Sequence, residues 1–122
     1  MTVLGVLVAG AIGAVGRHLL VVVLESRPRR RFPAGVIAAN VAGSLVFGAL
    51  VGARLDGGIT TTTLTVVGTG FCGALTTWST FVVDATERIQ AGDHRSAWAV
   101  VVLSLSLGAG AAALGLTLTG GL

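Results

Sequence analysis

At 122 residues, with 53% hydrophobic and only 11% charged side chains, the chain has too few charges to solvate the surface of a water-soluble domain. Its formal charge of +3 rests on eight basic residues, all arginine, and these are too few and too widely separated by apolar runs to form a nucleic-acid surface. One cysteine, Cys72, excludes an intramolecular disulfide and a cysteine-built metal centre.

A hydrocarbon core of roughly 30 Å takes about 20 helical residues to cross. Four apolar runs of that size follow one another, at about 3–24, 35–53, 63–84 and 96–116, which predicts an all-α membrane protein with one transmembrane domain over 1–122. The missing basic n-region and the length of the first run argue against a cleaved signal peptide.

The first run carries Gly10, Gly13 and Gly16 at spacings that let helices approach closely. Arg17 lies about 12 Å of helix before its end, deep enough to be a functional candidate. It is read either as an anchor snorkelling to the headgroups or as an interior group that attracts an anion or binds a carbonyl. Beyond it come Glu25, Arg27, Arg29, Arg30 and Arg31, with Pro28 and Pro33 marking a loop. The second run holds Asn40 and, one turn on, Ser44, a short polar stripe followed by Gly48 and Gly52.

The third run contains the most informative stretch, Gly70-Phe71-Cys72-Gly73-Ala74-Leu75-Thr76-Thr77-Trp78-Ser79-Thr80-Phe81. Glycines and a run of hydroxyls predict a helix broken mid-membrane. Such backbone survives only when buried in protein or lining a cavity, so the break is read as a place to hold an ion. Asp84 and Arg88 are four apart and positioned to pair, with Asp84 one turn past Phe81 at a candidate vestibule. On the fourth run, Ser104 and Ser106 are weaker polar signals, since serine can bond its own helix.

Four crossings put the loops after the first and third runs on one side. Those loops carry Arg27, Arg29, Arg30, Arg31, Arg88 and Arg95, against Arg54 opposite, so the positive-inside bias predicts both termini outside the cytoplasm. No nucleophile–base set, Walker loop or zinc-protease motif occurs, and no enzyme is expected.

Three motifs resemble the CrcB/Fluc family of small bacterial fluoride channels. Gly10, Gly13, Ala14 and Arg17 fit its first-helix pattern, and Asn40, Gly43, Ser44 and Gly48 its second. The run from Gly73 to Phe81 fits its third-helix signature. The resemblance implies a fluoride-specific channel in the cell membrane that releases cytoplasmic fluoride passively and works as an antiparallel dimer. It further implies a structural sodium ion at the dimer centre, held by the backbone carbonyls of Gly73 and Thr76, and a fluoride pore at Asn40, Trp78, Phe81 and Ser104. Arg17 and Asp84 stand as vestibule or anchor residues. Trp78 departs from the usual phenylalanine, His18 and Val100 from usual tyrosines, Val82 from a common serine and Asp84 from a usual glutamate.

The arginine bias disfavours insertion in both orientations, so an oppositely oriented paralogue is the expected dimer partner. The alternatives are a four-helix multidrug-type transporter, whose chemistry needs a carboxylate deep in the membrane, and a non-conducting subunit of a heterodimer.

Overall fold

The structure, a computed structural model, describes residues 1–25 and 32–120. Arg27, Arg29, Arg30 and Arg31 lie outside the described residues. Helices α1 (Thr2–Glu25), α2 (Ala34–Leu55), α3 (Thr61–Gln90) and α4 (His94–Leu118) are each long and apolar enough to cross a membrane, and no strand occurs among the described residues. Leu4, Val8, Ile12, Val15, Leu19 and Val22 of α1 are all exposed, a face that suits lipid and not water.

Local chemistry sets the ends. Gly57 and Gly92 adopt positive φ after α2 and α3, and there the amides of Gly58 and Asp93 reach back to Ala53 and Arg88 in paired C-terminal caps. Thr60 accepts from the amide of Thr63 to start α3, and Asp93 accepts from that of Ser96 to start α4.

Alternate helices run parallel. Along α1, Gly5 lies beside Val66, Gly13 beside Phe71 and Gly16 beside Leu75 of α3. Along α2, Gly48 lies against Ala112, and Gly52 against Leu116 and Thr119, while Gly115 of α4 fits reciprocally against Leu45 and Ala49. Thr119 Oγ1 donates to the carbonyl of Ala49 at 3.0 Å and ties the α4 end to α2. Lipid tails are as apolar as the side chains, so such backbone approach supplies much of the association between helices. This packing puts the start of α1, the 56–60 turn and the end of α4 at one end of the bundle.

The third helix differs from its expected form. It continues to Gln90 instead of ending near 84, and its break falls inside the expected stretch, on the hydroxyl side of the glycines. Residues Leu64–Cys72 wind as a π-helix, closed by the Gly73 amide reaching Gly68. Gly68 and Gly70 serve close packing there: a Cβ on Gly70 would stand 2.7 Å from the Val6 carbonyl oxygen, and one on Gly68 would crowd the Phe47 ring. The chain leaves the helix at Thr76, whose ψ of 157° is extended, and resumes it at Ser79–Gln90. The halves before and after the break are α3a (61–75) and α3b (Ser79–Gln90).

Substituting Gly115→Val should force α4 from α2 and lower stability by about 1–3 kcal/mol, as overpacking does. Thermal unfolding in detergent checks this; a midpoint equal to the parent's contradicts the packing described.

Candidate functional site

The break is held by side chains from two other helices. An α-helix running through it would pass the Thr77 amide to the carbonyl of Gly73. Instead that amide donates to Asn40 Oδ1 at 2.7 Å, and Asn40 Nδ2 donates back to the Thr77 carbonyl at 3.1 Å. One amide side chain on α2 thus replaces a backbone partner at both ends of the same residue. On the other side, Arg17 of α1 donates from a guanidinium nitrogen to the carbonyl of Thr76 at 3.3 Å. Of the alternatives for Arg17, the carbonyl partner is the one observed.

Hydroxyls complete the turn. Thr76 Oγ1 and the Thr76 amide both donate to the carbonyl of Cys72 at 3.0 Å. Thr77 Oγ1 accepts from the amide of Thr80 at 3.3 Å and caps α3b from two residues before Ser79. Thr77 is 7% exposed. Its part was not singled out in the sequence, although the Thr-Thr-Trp-Ser-Thr run announces hydroxyls at a helix start.

Asn40, Trp78, Phe81 and Ser104 come together. They line one groove of about 430 Å³ with Ser44, Thr76, Thr77, Leu105, Gly108 and Ala109. The walls therefore come from α2, the break, α3b and α4. Ser104 has a buried hydroxyl with no hydrogen-bond partner among the described residues, so it does not back-bond its own helix. A buried hydroxyl left unpaired is costly and is a donor without an assigned acceptor. Leu105, Gly108 and Ala109 were not expected, because a helix apolar all round offers no periodicity to mark its groove face.

The two aromatic rings are not equivalent. Phe81 is 6% exposed and packs with Val36 and Val100 in the core, whereas Trp78 is 70% exposed. Their ring centroids lie 5.3 Å apart at an interplanar angle of 47°, a tilted contact.

Gly73 and Thr76 line a second recess of about 310 Å³ beside Gly43, Ser44, Phe47 and Cys72. The break frees the Gly73 carbonyl from its helical donor, while the Thr76 carbonyl keeps one lone pair beyond its bond to Arg17. Hard carbonyl oxygens suit a hard monovalent cation, and two of them leave room for further ligands. Asp84 lies one turn beyond Phe81, outside the lining of either recess, and pairs with Arg88. Arg88 Nε donates to Asp84 Oδ2 at 2.7 Å and Arg88 NH2 to Oδ1 at 3.2 Å.

The family described as CrcB-like protein, Camphor Resistance (CrcB), matches residues 4–116. A protein named fluoride-specific ion channel FluC 1 from Symbiobacterium thermophilum is 46% identical over 99 residues, covering 80% of each chain. Proteins of the same name from Nocardia farcinica and Leifsonia xyli subsp. xyli are 39% and 41% identical, covering 81% and 80% of this chain and 67% and 71% of theirs.

Replacing Asn40 by Ala removes both bonds to Thr77 and should lower stability by about 2–3 kcal/mol. Amide exchange at Thr77 should then outpace that at Val82, whose amide bonds to the Trp78 carbonyl at 2.9 Å independently of Asn40. Unchanged protection of Thr77 in the variant would contradict the clip.

Proposed function

The chain belongs to the CrcB family of multi-pass membrane proteins, and on that footing we propose that it is a fluoride-specific ion channel through which cytoplasmic fluoride leaves passively. The observation that carries this reading is the single groove that gathers Asn40, Trp78, Phe81 and the unpaired Ser104 hydroxyl. Similarity to relatives named as fluoride-specific channels supplies the ion's identity.

The chemistry suits a small anion. Stripping fluoride of water costs tens of kcal/mol unless other groups replace the hydration. Aromatic ring edges are electropositive, and Trp78 and Phe81 offer two of them without holding the ion too tightly to release it. Ser104 contributes a hydroxyl donor. Asn40 Nδ2 carries a second hydrogen besides the one given to Thr77. The start of α3b adds the positive end of a helix dipole beside the groove. Outside the cell, hydrogen fluoride enters by diffusion and ionises in the more alkaline interior, so an anion-selective exit relieves the trapped charge.

The assembly is an antiparallel dimer, and its partner is an oppositely inserted paralogue. Support comes from the arginines, which favour one orientation with both termini outside the cytoplasm, and from the 70% exposure of Trp78, which a second subunit would cover. A sodium ion would be held by the Gly73 and Thr76 carbonyls of this chain together with groups from the partner. Bound there it supplies charge that ties two broken helices together, and it is not transported. Within the chain, Arg17 already orients the Thr76 carbonyl.

Liposomes containing the chain, alone and with its paralogue, should release fluoride and retain chloride under a potassium ionophore. Absence of fluoride flux in both preparations would defeat the channel reading. Reporter fusions to the C-terminus should show an external location only; equal internal and external populations would remove the case for a heterodimer while leaving the channel intact.

A further inference from the structure

The Asp84–Arg88 pair is not needed to hold the fold in the way the break's clips are. Ion pairs four apart on a helix contribute little at an exposed surface. This one is more enclosed: the two side chains retain 26% and 15% of their exposure, and the contact is two-pronged. A guanidinium fork matches both carboxylate oxygens at once, which a lysine ammonium cannot do.

Its place is what matters. Asp84 is three residues beyond Phe81, on the same helix face and about 4.5 Å further along the axis. Phe81 lines the groove. A bare carboxylate at that distance would lie well inside a Debye length of about 8 Å at physiological salt, and low-dielectric walls screen it still less. It would repel any anion entering or leaving by this end. With Arg88 bound across both oxygens, the Phe81 end of the groove, taken as its mouth, carries a neutral pair beside it instead.

We propose that Arg88 is a conduction-determining residue, which masks the Asp84 carboxylate at the groove mouth and so keeps that mouth passable to anions. The proposal rests on the fluoride-channel reading for the identity of the anion. Arg88 acts through Asp84 and does not touch the ion; it is a positioning residue for charge.

The test compares fluoride efflux from liposomes for the parent, Arg88→Gln, Asp84→Asn and the double variant, each at low and at high ionic strength. Arg88→Gln should reduce flux about tenfold at low salt, within the range that local fields change ion access, and added salt should restore much of it. Asp84→Asn alone should conduct faster than the parent, because an unmasked guanidinium then faces the anion. The double variant should regain most of the flux lost in Arg88→Gln. A merely structural pair gives another pattern: loss in both single variants, no rescue in the double, and no dependence on salt. That pattern overturns the proposal, as does parental flux in Arg88→Gln. If Arg88→Gln fails to assemble, flux in Asp84→Asn at or below the parent's is sufficient to overturn it. A parent that passes no fluoride defeats the channel reading itself, so the two failures are distinct.

Discussion

A bilayer offers backbone polar groups no water, and everything about this chain's centre follows from that. Breaking α3 at Thr76 strips carbonyls and amides of their helical partners where nothing outside the protein can replace them. The chain meets the need from within. Asn40 satisfies the amide and the carbonyl of Thr77, and Arg17 reaches the carbonyl of Thr76. Each bond crosses between helices, so the break is also a joint that fixes α1, α2 and α3 together. Asn40, which keeps the broken helix tolerable, also lines the groove.

Close packing makes those reaches possible. Asn40 and Arg17 have side chains of fixed length, and they meet the break only because α1 and α2 lie almost in backbone contact with α3. Gly13 abuts the Phe71 carbonyl and Gly43 the Thr76 methyl, leaving no space for a larger residue at either point. Small residues and polar clips are two halves of one arrangement. The first brings the helices near, and the second uses the proximity to satisfy the amide and carbonyl of Thr77 and the carbonyl of Thr76.

Much of this could be read from residue types. Four apolar runs with charged turns between them specify four helices, because bilayer thickness leaves little choice of length. The break was legible as a cluster of glycines and hydroxyls over residues 70–81, and it falls inside that stretch. Gly68 and Gly70 proved to be packing residues in a π-wound stretch, and Thr76 is where the helix ends. The third apolar run predicts an end near Asp84. The helix runs on past that point, with Asp84 and Arg88 paired four apart along it, and Gly92 supplies the turn that stops it. Among the groove residues, Asn40, Trp78, Phe81 and Ser104 carried a chemical signature. Leu105, Gly108 and Ala109 could not, since apolar residues on an apolar helix reveal no preferred side. The burial of Phe81 beside an exposed Trp78 was likewise beyond pattern, as it depends on where α2 and α4 meet α3b.

The central claim is that the groove beside the break receives fluoride. The chain has two tryptophans, and Trp98 of α4 does not line the groove. Indole N–H resonances of the reconstituted protein, followed as fluoride and then chloride are added, read the two rings separately. Fluoride should shift the Trp78 resonance saturably, chloride should not, and Trp98 should stay stationary. A Trp78 signal that ignores fluoride, or that moves equally with chloride, would contradict it.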